Sequence, residues 1–65
     1  MPLIRVELFE GRSLETKREL IEALTRETVR IAGVSKASVD VIITEVKKEN
    51  WGIGGEQASV KFPDT

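Results

Sequence analysis

Sixty-five residues without one cysteine or histidine have few ways of holding a fold together. A chain of 7.2 kDa exposes roughly 10,400 Å² when extended and about 4,100 Å² when folded alone, which leaves a small core to set against the cost of ordering the backbone. Chains of this size are ordinarily stapled by disulfides, by a metal or by a partner subunit. The missing Cys removes the first staple and any thiolate metal site. The missing His removes the commonest metal-binding imidazole and the commonest general base. Oligomerisation is left, and a hydrophobic content of 40% suits subunits that bury surface against each other.

Charge narrows the partners. Ten basic and 11 acidic side chains give a net charge of −1 and are mixed along the chain, so neither nucleic acid nor an anionic membrane is expected. No apolar run approaches ~20 residues and the N-terminus has no signal-peptide pattern. A soluble cytoplasmic protein is the expectation.

Periodicity supplies the architecture. Leu3 to Phe9 reads as a strand, with Ile4, Val6 and Leu8 on one face and Arg5 and Glu7 on the other. Glu10-Gly11-Arg12-Ser13 is a turn, Ser13 is an N-cap, and Glu15 complements the helix dipole. From Leu14 to about Ala32 the pattern is helical, with Leu20, Leu24, Thr28 and Ile31 on one stripe, Ile21 beside them, and Gly33 as the stop. Val39 to Val46 is a second strand whose Val41-Ile42-Ile43 centre predicts burial on both faces. Trp51 to Gly55 is a Gly-rich turn, and Ala58 to Phe62 is predicted as a further short strand in a C-terminal hairpin. A long helix between two strands makes them parallel, with a right-handed connection. There is no internal repeat and no linker, so residues 1–65 are expected to form one α/β domain whose open sheet edge and face call for another copy.

Few side chains here carry chemistry. Initiator Met is generally removed before a small residue, which would leave Pro2 as a secondary amine at the terminus. An ordinary α-amino group titrates at about 7.7–8.0, and an apolar wall beside a cation favours its neutral, basic form. Taken alone, Pro2 also reads as a strand start, and Arg12 as a solvated turn residue or as a two-pronged carboxylate ligand. Gly52, Gly54 and Gly55 lack the ending of a phosphate-binding loop and read as a tight hairpin. Trp51 and Phe9 read as pocket wall, core or interface anchor. Glu7, Glu10, Asp40, Glu45 and Glu56 form no acid–base pair of recognisable spacing and are expected to be solvated or ion-paired.

In this order and spacing, Pro2 after Met1, Glu10-Gly11-Arg12-Ser13, Val41-Ile42-Ile43-Thr44-Glu45 and Trp51-Gly52-Ile53-Gly54-Gly55-Glu56 resemble the 4-oxalocrotonate tautomerase family. The resemblance runs from Pro2 to about Ser59. It implies a β-α-β subunit with a C-terminal hairpin, dimers that form a four-stranded sheet, and three dimers in a hexamer. It also implies an isomerase of aromatic hydrocarbon catabolism that needs no cofactor and no metal. Pro2 would move a proton within a small unsaturated 2-hydroxy or 2-oxo acid, such as 2-hydroxymuconate becoming its conjugated oxo isomer. Arg12 matches the arginine that holds the distal carboxylate, usually from a neighbouring subunit. Trp51 stands where an aromatic keeps the site apolar. Phe9 stands where an aliphatic residue is usual, and its amide is a candidate substrate contact. Ser38 joins them as a substrate-binding residue. One position departs: where the family has a second arginine, this chain has Asp40, an anion that repels a carboxylate. Lys36, Arg5 or a backbone amide would then supply electrophilic help, or the substrate differs. The departure leaves open a non-catalytic oligomeric member of the fold, or the same scaffold running another reaction such as dehalogenation.

Overall fold

The computed structural model describes residues 1–63. Strand β1, Leu3–Phe9, leads through the turn to helix α1, Leu14–Ala32. A short 3-10 turn, Lys36–Ser38, precedes strand β2, Asp40–Val46. A second such turn, Lys48–Asn50, leads to the hairpin strands β3, Gly52–Ile53, and β4, Glu56–Gln57. The described residues end in one helical turn, α2, Ala58–Lys61.

Both ends of α1 form as their sequence directs. The Ser13 side chain accepts the Thr16 N–H at 3.0 Å, which satisfies one of the amides a helix start leaves unpaired. Gly33 takes the left-handed conformation, φ 68°, and its N–H reaches Val29 O at 3.0 Å. On the wet face Arg18 pairs with Glu15 and Glu22, and Arg30 with Glu27.

The crossover places β1 and β2 side by side and parallel, in register from Leu3 opposite Asp40 to Phe9 opposite Val46. Ile4, Val6 and Leu8 lie half-buried with Val41 and Ile43 on the helix side, as the alternation predicts. The other face is open. Leu3 and Ile42 are 47% and 42% exposed, so the two-sided burial expected of Val41-Ile42-Ile43 is not reached within one chain. Ile31 also departs from the predicted stripe, at 73% exposure. The reason is length: a 19-residue helix runs about 28 Å, whereas seven-residue strands run about 23 Å, so the end of α1 outreaches the sheet.

The C-terminal hairpin forms as predicted, with Gly54 and Gly55 both at positive φ, 61° and 88°, in its two-residue loop. The strand predicted over Ala58 to Phe62 does not form. The Ala58 N–H donates to Trp51 O at 2.7 Å, and the Phe62 N–H returns to Ala58 O at 2.8 Å. With no adjacent strand edge offered to this segment, the backbone satisfies its own hydrogen bonds in a helical turn. Ala58 is the one fully buried hydrophobic residue among the described residues. None of the helices there is long and apolar enough to cross a membrane.

Candidate active site

The predicted site residues fall into two groups, one at each end of β1. Pro2 is half-buried at the head of the strand, and its carbonyl accepts the Asp40 N–H at 2.9 Å. Ser38 stands at this end, half-buried, with its hydroxyl donating to Ser35 O at 2.8 Å. Asp40 shares the open face with Leu3, and Arg5 lies opposite Ile42 on that same face. Lys36 opens the 3-10 turn beside them and is exposed.

At the far end of β1 the chain gathers its aromatic residues. The Phe9 ring meets Trp51 edge-on, with centroids 4.6 Å apart, and Phe62 at a tilt, 6.5 Å away. The Lys48 ammonium sits 5.8 Å from the Phe9 ring centroid and donates to the Phe62 carbonyl. Phe62 and Lys48 escaped the sequence reading. Phe62 falls at the end of the short strand expected over Ala58 to Phe62, and only the turn at α2 folds its ring back onto Phe9. Nothing in the spacing of Lys48 marks it.

Arg12 follows directly from this cluster, exposed in the turn between β1 and α1. That turn needs Gly11, whose φ of 113° suits a residue without Cβ. The Gly11 N–H donates to Glu45 Oε2 at 3.3 Å, and Glu45 Oε1 accepts from Lys17 Nζ at 2.7 Å. The Lys17 ammonium first, and then the Gly11 amide, hold the Glu45 carboxyl below its ordinary value of 4.5. Glu45 is therefore ion-paired, one of the two roles its sequence allows.

Seven residues at ~3.3 Å each put about 23 Å between Pro2 and the Phe9 group, so one chain does not bring the two halves together. A groove of about 610 Å³ runs along α1 past Ile21, Thr25 and Val29 to Lys36, and neither Pro2 nor the Phe9 group lines it. Chemistry that draws on both groups at once would need a second chain. A basic nitrogen at the head of one strand would need the apolar wall and guanidinium carried at the tail of another.

Comparison with known proteins identifies the scaffold. The family model described as tautomerase enzyme matches residues 2–61. A 2-hydroxymuconate tautomerase of Comamonas testosteroni is 47% identical over 58 residues, covering 89% of this chain and 92% of the relative. The structure of a 4-oxalocrotonate tautomerase isozyme from Methylibium petroleiphilum superposes with a TM-score of 0.89 at 43% identity, over 94% of this chain and 98% of the other. A heterohexamer 4-oxalocrotonate tautomerase from Chloroflexus aurantiacus gives 0.87 at 39% identity, over 91% and 95%. By sequence, by fold and by length, the chain belongs to the tautomerase family of enzymes, in its 4-oxalocrotonate tautomerase group.

Proposed function

We propose that this chain is a cytoplasmic, cofactor-free tautomerase of small unsaturated 2-hydroxy or 2-oxo acids, built as one domain over residues 1–65 and assembled as a homohexamer of three dimers. Loss of Met1 turns the Pro2 nitrogen from an amide into a secondary amine. That amine takes a proton from the enol and returns it to a carbon of the conjugated system, so base and acid are the same group. Arg12 anchors the distal carboxylate as a two-pronged donor. Phe9 and Trp51 keep water away from the amine, which favours its neutral form. Ser38 contributes at the substrate-binding edge near Pro2.

The observation that carries this reading is the division of these residues between the two ends of a sheet with an uncovered apolar face. Pairing of sheet edges gives a four-stranded sheet, and packing of open faces sets the Pro2 end of one chain near the Arg12 and Trp51 end of another. The test uses protein whose loss of Met1 is verified by intact mass. Turnover of 2-hydroxymuconate and of the enol of phenylpyruvate is then followed spectrophotometrically. Pro2→Ala should lower kcat/KM by about 10²–10³, in the range one general acid–base group supplies. Unchanged turnover in that variant overturns the reading.

Asp40 favours a second reading, in which the same base serves a different substrate. A carboxylate at that place disfavours an acid group beside it, and if close it stabilises the protonated amine. A screen of halogenated acrylates, read by halide release, beside the two enols separates dehalogenation from tautomerisation. The heterohexamer relative suggests one further outcome to watch for, activity that returns only when a second kind of chain brings a cation.

A further inference from the structure

One ion pair differs from the others among the described residues. Arg18 with Glu15 and Glu22, Arg30 with Glu27, and Lys61 with Glu56 each link neighbours in sequence. Lys17 and Glu45 are 28 positions apart and tie α1 to β2 at 2.7 Å. The second oxygen of the same carboxylate accepts the Gly11 N–H at 3.3 Å, and the preceding amide, Glu10 N–H, donates to Val46 O at 3.0 Å. Two consecutive amides of the turn that presents Arg12 are thus held by β2. Gly11 gives that turn backbone freedom that its own sequence does not remove.

We propose that Glu45 is a positioning residue for Arg12: its carboxylate, neutralised by Lys17, clamps the Gly11 amide and so fixes the direction from which the guanidinium meets a substrate carboxylate. The proposal rests on the reading of Arg12 as the anion anchor. Lys17 has its own part in it. A bare carboxylate one residue from Arg12 would draw the guanidinium onto itself and repel an incoming acid, whereas the paired one does neither. The two roles of Glu45, holding an amide and staying neutralised, need both of its oxygens, and the structure uses both.

The test compares the assembled, Met1-free enzyme with its Glu45→Ala, Glu45→Gln and Arg12→Ala variants on two substrates. One is the dicarboxylate 2-hydroxymuconate, and the other is the monocarboxylate enol of phenylpyruvate. Glu45→Ala should raise KM for the dicarboxylate about tenfold, the scale of one hydrogen bond to a charged group, while kcat stays within about twofold. KM for the monocarboxylate should not move, and Glu45→Gln, which keeps an oxygen for Gly11, should recover part of the loss. An equal effect on both substrates would show a merely structural strut and overturn the proposal. If Arg12→Ala raises the dicarboxylate KM and Glu45→Ala does not, the proposal fails while the anchor reading stands. If Arg12→Ala changes nothing, the anchor reading fails first. An independent readout is hydrogen exchange at the Gly11 amide by NMR, which should quicken about tenfold in Glu45→Ala. Unchanged exchange overturns the clamp whatever the kinetics.

Discussion

Pro2 and Asp40 share one backbone hydrogen bond, 2.9 Å long, and they place opposite demands on the end of the sheet they occupy. A basic amine is favoured there by apolar surroundings and cations, and opposed by an anion. Asp40→Arg is therefore expected to raise kcat/KM for 2-hydroxymuconate by about ten- to a hundredfold, the scale of a charge-assisted hydrogen bond. Steady-state kinetics of the two proteins side by side decide this, and the absence of any gain counts against a carboxylate-binding role at position 40. The Glu45 carboxyl, held below 4.5 by Lys17 and the Gly11 amide, contributes stability that is fully present above its ordinary value. That contribution is lost as pH falls through the lowered folded value. Thermal melts of wild type and Glu45→Gln are expected to differ at neutral pH and to converge in acid, once the pH is below the lowered folded value. A constant offset across the series would remove Glu45 from the acid sensitivity of the fold. At this scale Ser13, Gly33 and the two hairpin glycines were legible because each acts on its immediate neighbours. Phe62 and Lys48 were not, because their contacts with Phe9 exist only after the chain has closed on itself.

The elements follow their local codes except where they need a neighbour. Helix α1 begins and ends as its caps direct, so removing a cap should cost what caps cost elsewhere. Ser13→Ala is expected to destabilise the protein by about 1 kcal/mol through the lost bond to the Thr16 N–H. Gly33→Ala should cost a similar amount, about 1 kcal/mol, because φ 68° is strained for a residue with a Cβ. Urea titration at fixed protein concentration measures both, and a midpoint unchanged in either variant would rule out the cap in question. The segment Ala58–Lys61 shows the limit of such reasoning. Val60 and Phe62 alternate as a strand would, yet extended structure needs an edge to pair with. Among the described residues the Ala58 N–H pairs with the Trp51 carbonyl, and the Phe62 N–H turns back to Ala58 O. Local pattern proposes such a strand, and the available partners reject it.

The whole molecule is thin and long, 42 × 25 × 14 Å, with a radius of gyration of 14.7 Å. A compact chain of this length would have a radius near 11 Å. The exposed surface, 4893 Å², exceeds the roughly 4,100 Å² expected for a monomer of its mass, and the excess includes Leu3, Ile42 and Ile53. A single helix over a two-stranded sheet has one layer too few to cover both faces. Leu3→Lys together with Ile42→Lys, on the open face, should therefore dissociate the proposed assembly and abolish activity with it. Sedimentation velocity on the double variant checks this. A lysine-bearing protein that still sediments as the wild type would move the interface elsewhere.

Order and identity of β1, α1 and β2, their parallel pairing, the open face they leave, the helix caps and the glycine hairpin were all set by the sequence itself. Each follows from a period, a cap or a turn that acts over a few residues. Three things were settled only in three dimensions: the helical turn at Ala58–Lys61, the aromatic cluster on Phe9, and the tie from Glu45 to the Arg12 turn. They depend on which distant segments meet, and no periodicity along the chain encodes that.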